Sequence, residues 1–482
     1  MPRRNRSPPE ASQSFYVDRV THTLPTVNVN PAWHAWAARS TQRTSGGVAE
    51  LLHVPAVSET RLSTAFQVPG YRWLWLFSLF TSLAFTVEAL SQGWVVLQLT
   101  NSVLIVGLAA GFRGVSQALF SVLGGPIVDR IDRRRLLLGA QLAAALGALT
   151  LAFLLLGRTA RVWHVFMYLA LGGLVTAISR PAAGGLMYDV VGPRRLLNAS
   201  AFQFMAASVV RIAGAVAGGF VIDRLGVGNN FLLVSAAYCG GSVALSLLRG
   251  PVVTAGTAEP FVRAVTAGFR YVLSTPRIRT LLLLSLVVEA FGFGYQAMMP
   301  VMARDVLKVG GIGLGYLTAM AGVGQLVATL LVASRGDLRN KGTLLISAAV
   351  GFGLFIAVFG VSPWFPFSLA VVMVVGALGS TYDTSMSTML MMAAGDAVRG
   401  RVLGLYYSTM GVSAIGWLGV GAVGALLGMP AALALSGSVV ALAALGLLPK
   451  LHLLNPGGRA GAAEEQSSRL IPQGSGDNLP EV

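Results

Sequence analysis

The chain is poor in charge. Only 11% of its 482 residues are Asp, Glu, Lys or Arg, against about 25% in a soluble globular protein. Hydrophobic residues make up 54%, and such a chain cannot keep its apolar surface off water by folding alone, so lipid must be its solvent. Lysine is scarcer still: with only Lys308, Lys341 and Lys450, the net charge of +16 is carried almost wholly by arginine. The charge sits mostly in loops and tails, so its sidedness is informative and no nucleic-acid partner is expected. The single cysteine, Cys239, lies in an apolar stretch and excludes an intrachain disulfide or a Cys-based metal cluster. His22, His34, His53, His164 and His452 show no metal-ligand or triad spacing, so no metal site and no catalytic residue are expected. No Gly-x-x-x-x-Gly-Lys-Ser/Thr loop is present, which argues against ATP coupling within this chain, and no cofactor is expected.

What the chain does have is long apolar runs. Twelve of them lie near 74–97, 104–125, 136–156, 164–184, 197–221, 230–248, 279–301, 312–333, 343–361, 366–391, 402–427 and 430–449. A helix needs about 20 residues to cross a bilayer, so the expected fold is an all-α membrane protein of twelve transmembrane helices. Trp73, Trp75, Trp163 and Trp364 fall at or near span ends, where amphipathic rings prefer the interface. An even helix count puts both termini on one side. Loops on the other side hold only Arg158, Arg161, Arg224, Arg304 and Lys308, and those on the terminal side hold a clear Lys/Arg excess. The positive-inside rule then predicts cytoplasmic termini.

The two halves repeat. Gly114-Val115-Ser116-Gln117 recurs as Gly322-Val323-Gly324-Gln325, and at the same offset Asp129 matches Asp337 and Arg133 matches Lys341. The expected organisation is a disordered cytoplasmic extension over 1–72, six-helix bundles over 73–249 and 278–449, a cytoplasmic linker over 250–277, and a disordered tail over 450–482. A mis-assigned start codon, a surface helix or an organellar presequence are other readings of the extension. Phe261–Tyr271 in the linker reads as an amphipathic helix on the membrane surface.

A basic turn, Gly124-Gly125-Pro126-Ile127-Val128-Asp129-Arg130-Ile131-Asp132-Arg133-Arg134-Arg135, joins helices 2 and 3. With its position and its degenerate second copy at 337–341, it resembles the signature loop of the major facilitator superfamily. Asp132 stands where that loop usually has glycine. Further stretches resemble the superfamily's enterobactin-exporter and macrolide-efflux branch, over roughly residues 70–450. These are Tyr71-Arg72-Trp73-Leu74-Trp75, Gln98-Leu99-Thr100, Arg113, Arg180-Pro181-Ala182, Pro193–Ala199 and Arg399-Gly400-Arg401-Val402. The resemblance implies two parallel six-helix repeats with a substrate site between them near the midplane. It also implies a conformational latch at Gly125, Asp129, Arg130, Arg133 and Arg134. Arg211–Gly219 in helix 5 is similar to a glycine-rich antiporter motif, with Ala215 in place of its proline; ordinary helix packing through small residues is the other reading.

Charges inside the spans cost at least about 2.5–3.5 kcal/mol each at a helix centre. Five are clear: Glu88, Arg113, Arg211, Glu289 and Asp383, with Arg180 nearer the end of helix 4. Glu88 and Arg113 fall at similar depth on adjacent antiparallel helices, either as a structural ion pair or as a pair that exchanges a proton. Glu289 has no arginine at matching depth on a sequence-adjacent helix, which suits a proton-coupling carboxylate; Glu88 and Asp383 are the further candidates. A substrate pocket is expected from Gln92, Gln117, Phe291, Tyr295, Gln296, Met299, Tyr382 and Met386, while the methionine-rich segments around helices 7, 8 and 10 read equally as apolar core. The resulting expectation is a proton-coupled secondary exporter of a hydrophobic or amphipathic small molecule, monomeric in a bacterial cytoplasmic membrane. A non-transporting receptor or assembly factor, or a membrane-embedded enzyme, are the alternatives.

Overall fold

The computed structural model describes residues 66–68, 70–128, 131–192, 195–248, 272, 275–335, 340–394 and 399–450. The extension before Phe66, nearly all of the linker including Phe261–Tyr271, the tail after Lys450, and Asp129, Arg130 and Asp337 lie outside the described residues. Twelve helices follow in order: α1 (Tyr71–Thr100), α2 (Val103–Val128), α3 (Arg133–Leu156), α4 (Val162–Val191), α5 (Leu196–Leu225), α6 (Val227–Ser246), α7 (Pro276–Val306), α8 (Gly310–Ser334), α9 (Lys341–Val361), α10 (Phe365–Ala393), α11 (Arg399–Leu427) and α12 (Met429–Leu445). Nine of them, all but α6, α11 and α12, are long and apolar enough among the described residues to span a membrane unaided. Several run to 30 residues, about 45 Å at 1.5 Å per residue, and so project beyond a hydrocarbon core of about 30 Å.

Local chemistry sets the helix ends. Asp132 caps α3, its carboxylate accepting from the backbone N–H of Arg134 at 2.8 Å and of Arg135 at 3.1 Å. The residue that departs from the usual loop pattern is therefore an N-cap. Proline opens α7, α10 and α12 in their first turns, where its missing N–H has no helical partner to lose. Gly226 (φ 86°) and Gly428 (φ 87°) sit at corresponding joints, α5 to α6 and α11 to α12, and take a left-handed conformation that glycine adopts without steric cost.

The halves are built alike. In the first, α1 packs on α5 and α6, α2 on α4, and α3 on α4 and α6; in the second, α8 packs on α10, and α9 on α10 and α12. Two seams join them, α2 against α11 and α5 against α8. These are repeat-related contacts, since α8 repeats α2 and α11 repeats α5. Large apolar side chains such as Leu146, Phe153, Leu354 and Leu442 face outward, as expected for a lipid-solvated belt.

Glycine lets the seams close. A Cβ on Gly219 would come within 2.5 Å of the Gly311 carbonyl oxygen, and one on Gly315 within 2.6 Å of the Ala215 carbonyl oxygen. Across the other seam, a Cβ on Gly107 would meet the Gly421 Cα at 2.9 Å. Between apolar helices in lipid, such backbone approach supplies the van der Waals contact that holds them together. All of these glycines lie toward the side of the bundle opposite the described termini.

Two polar contacts reinforce that side. Asp223, at the end of α5, accepts from the backbone N–H groups of Gly311 (2.6 Å) and Ile312 (2.9 Å) at the start of α8. Arg304 of α7 donates to the Leu97 carbonyl (3.0 Å) and to Asn101 Oδ1 (2.9 Å) at the end of α1. An acid meets a helix N-terminus and a cation meets a helix C-terminus, each matching the helix dipole. Both bridge the halves.

Removing the Asp223 carboxylate should cost about 1 kcal/mol, and so raise the population open on that side roughly fivefold. In an Asp223→Ala variant carrying Cys239→Ser and Thr318→Cys, an impermeant thiol reagent applied from that side should label the introduced cysteine faster. Unchanged labelling would mean that the contact does not hold the seam.

Candidate substrate cavity and its charged residues

Between the halves lies a cavity of about 210 Å³. From the first half it takes Phe85, Thr86, Ala89 and Leu90 of α1, and Arg211 and Ile212 of α5. From the second it takes Phe293, Tyr295, Gln296 and Met299 of α7, Thr318 and Gln325 of α8, and Ser380 and Asp383 of α10. Aromatic and aliphatic walls carry a few convergent polar groups, the usual make-up of a small-molecule site. Arg211 brings one cation. Its guanidinium donates to Ser208 Oγ at 3.2 Å and sits 5.9 Å from the Phe204 ring centroid; among the described residues no carboxylate pairs with it.

The α7 wall is not a regular helix. The chain winds into a π turn at Val288–Gly292 and again at Met302–Val306, and such turns are frequent at functional sites. Two carbonyls of the first turn take side-chain donors from neighbouring helices: Trp417 Nε1 on Glu289 O at 3.3 Å, and the Ser436 hydroxyl on Phe291 O. Gly292 makes room for Phe352, whose Cε1 would lie 2.6 Å from a Cβ there. Glu289 sits in this turn, one helical turn before Phe293, and is only 4% exposed. Its Oε1 has no hydrogen-bond partner, and no cation pairs with it among the described residues. Asp383, within electrostatic reach of Glu289, is on the cavity wall and accepts a long 3.4 Å contact from the Tyr406 hydroxyl.

Glu88 is placed quite differently. Its Oε1 accepts from Arg113 Nη1 at 2.7 Å and from Gln92 Nε2 at 2.7 Å, and its Oε2 accepts from the Tyr238 hydroxyl at 2.6 Å. Gly172 leaves the space for this cluster, since a Cβ there would lie 3.3 Å from Glu88 Oε1 and 3.6 Å from Arg113 Cζ. The Arg113 guanidinium sits 5.6 Å from the ring centroid of Phe85, a cavity residue. The pair thus lies beside the cavity wall, inside the first bundle, with each carboxylate oxygen occupied. Truncating Arg113 would leave a buried carboxylate uncompensated, at a cost of about 3–5 kcal/mol. Arg113→Ala should therefore unfold at markedly lower denaturant in detergent, and combining it with Glu88→Leu should recover most of the loss. A double variant as unstable as the single one would refute the pairing energy.

Of the residues expected to form the pocket, Tyr295, Gln296 and Met299 line the cavity, as does Asp383. Gln92 does not, because its amide is bonded to Glu88. Phe291 falls within the π turn and is not on the wall. Tyr382 and Met386 are fully buried in the core and are not on the wall. Gln117 is not on the wall, whereas its repeat partner Gln325 is. In the methionine-rich segments, Met298, Met299, Met302, Met386 and Met389 are buried in the core, Met299 also meeting the cavity, while Met391 and Met392 are exposed. Arg180 is exposed in the second half of α4 and interacts with a neighbouring group. Phe85, Thr86, Thr318 and Ser380 carry no signal in the sequence that distinguishes them from other span residues.

Gly125 lies in the last turns of α2, while the two described arginines of the latch bind within the first half. Arg133 pairs with Asp189 of α4 at 2.7 Å, against Gly185, where a Cβ would collide with the guanidinium. Arg134 donates to the carbonyls of Leu245 (3.1 Å) and Ser246 (2.6 Å) at the end of α6. In α5, Gly214 faces Leu83 of α1 and Gly219 meets Gly311 and Gly315, so the glycine-rich segment is used for close packing on two sides.

Among the described residues, twelve helices in two like-built halves with a polar-dotted cavity between them define the architecture of a major facilitator transporter. The family model described as transmembrane secretion effector matches residues 62–469, and the chain belongs to that family. It is similar to the enterobactin exporter EntS of Shigella boydii and of Escherichia coli, 22% identical in each case over 77% of this chain and 88% of the relative. In fold it is similar to the nucleoside transporter NupG (TM-score 0.64, 11% identity, 79% of this chain and 98% of that one). It is also similar to a POT family transporter solved with a thioalcohol-conjugated peptide (TM-score 0.65, 11% identity, 80% and 99%). A bacterial homologue of the lysosomal transporter Spinster, in an inward-facing and unoccupied conformation, aligns with a TM-score of 0.57 at 14% identity, over 83% and 98%.

Proposed function

We propose that this chain is a proton-coupled exporter that moves an amphipathic small molecule, of the siderophore or drug-like class, out of a bacterial cytoplasm by alternating access. The enterobactin exporters among its relatives support the direction and the cargo class. The observation that carries the coupling is two carboxylates within electrostatic reach of one another: Asp383 on the cavity wall, and Glu289, buried and with no cation beside it among the described residues. A carboxylate in that position can be neutral when sealed and charged when the cavity admits water. Arg211, with no acid beside it, offers the cargo's acidic group a charge-assisted hydrogen bond. The Glu88–Arg113 pair, saturated by its own donors, serves as a fixed brace and not as a proton carrier.

Both termini are assigned to the cytoplasm on the arginine excess of the loops on their side. The glycine seams and the Asp223 and Arg304 bridges then close the outer face, the arrangement an exporter adopts when loading from inside. Alternating access would rock residues 73–249 against 278–449, with the latch at Gly125, Asp129, Arg130, Arg133 and Arg134 acting on the cytoplasmic side. The cargo and protons are the only partners required besides the bilayer, and the working unit is taken as the monomer.

Purified protein in liposomes should accumulate a catecholate siderophore or an amphipathic drug when a pH gradient is imposed, and should do so without ATP. Glu289→Gln should still bind the cargo but lose gradient-driven accumulation by at least tenfold. Accumulation with an unaltered pH dependence in that variant would remove Glu289 from the coupling, and uptake driven equally well without a gradient would remove proton coupling altogether.

A further inference from the structure

The three consecutive arginines that open α3 have different fates. Arg133 is tied to Asp189 and Arg134 to the end of α6. The third, Arg135, is exposed, and among the described residues its guanidinium has no hydrogen bond or ion pair, although its backbone N–H is fixed by Asp132. It stands at the head of an outward-facing groove of about 390 Å³ between α3 and α4. Below Arg135 the groove runs past Gly139 and Ala143 on α3 and past Ile178 and Leu174 on α4, and it is otherwise apolar. A Cβ on Gly139 would meet nothing within 4 Å, so this glycine keeps the groove floor low without being needed for helix packing.

We propose that the α3–α4 groove binds a phospholipid with an anionic headgroup, its phosphate on Arg135 and one acyl chain lying along Gly139 toward Ala143 and Leu174. The depth fits. Arg135 is in the first turn of α3, on the side of the bundle that carries the termini, and from there an arginine reaches the headgroup layer while its stem covers apolar surface. The charge fits as well, since a guanidinium forks onto phosphate oxygens and nothing among the described residues competes for it. The apolar walls suit a hydrocarbon chain and would repel a peptide's polar backbone or a water-soluble anion. The length fits one chain segment: Arg135 to Ala143 spans about 12 Å of helix. The site is separate from the substrate cavity, with which it shares no lining residue.

The test uses the full-length protein, delipidated in detergent and examined by native mass spectrometry against phosphatidylglycerol and phosphatidylcholine of identical chains. The anionic lipid should be retained about fivefold better, the gain expected for one cation near an anionic headgroup. Arg135→Gln should abolish that preference, and Arg135→Lys should restore most of it. Gly139→Leu should fill the groove and lower retention of both lipids. Neither Arg135→Gln nor Gly139→Leu removes a side-chain contact within the protein, so thermal unfolding in lipid-free detergent should match the parent; a variant that fails this control is replaced by Gly139→Val. Equal retention of the two lipids, or an undiminished preference in Arg135→Gln, would overturn the proposal. Displacement of the lipid by glycerol 3-phosphate alone would also overturn it, by reducing the site to a surface anion contact.

Discussion

A carboxylate held in hydrocarbon needs donors for its oxygens, a cation beside it, or a proton of its own. Glu88 and Glu289 meet this constraint in opposite ways. Glu88 collects Arg113, Gln92 and Tyr238, so its charge is spread over three donors from three helices. Glu289 is comparably buried, but its Oε1 is left with no donor. The first arrangement stiffens a bundle. The second leaves a buried carboxylate without a neutralising partner among the described residues. Around Glu289, Trp417 and Ser436 donate to backbone carbonyls of the π turn and not to its side chain.

The seams give this contrast its mechanical meaning. Apolar helices in lipid gain little by hiding from lipid, so close backbone contact and a few polar bridges decide which faces of the halves meet. Here the glycines and the two dipole-matched bridges gather on the side away from the termini. Their energies are individually small, on the order of 1 kcal/mol, which is what an element that must open on every cycle requires. The polar ties of the other side, Arg133–Asp189 and Arg134 with the end of α6, stay within one half and can ride through such a motion intact.

Much of the fold was legible because its signals are local or periodic. Twelve apolar runs, the repeated Gly114–Gln117 and Gly322–Gln325 segments, and the equal depth of Glu88 and Arg113 need no tertiary information. Asp132, a departure from a motif in sequence terms, has a local explanation as an N-cap. The cavity was less legible, because which face of a helix looks inward depends on its rotation. Gln92 reads as a pocket residue but is spent on Glu88, and along α7 Phe293, Tyr295 and Gln296 are on the wall while Phe291, in the π turn, is not. The Asp223 and Arg304 bridges join segments far apart in the chain. In the sequence these two residues read only as charges near span ends.

Transport as proposed depends on Glu289, and not Glu88, being the carboxylate that exchanges a proton. Hydrophobic carbodiimides modify protonated carboxyl groups within membranes, so peptide mapping after such treatment of the liposome-embedded protein tests the assignment directly. The expected result is modification at Glu289, reduced by bound cargo, and an unmodified Glu88. Modification of Glu88 with Glu289 untouched would contradict it.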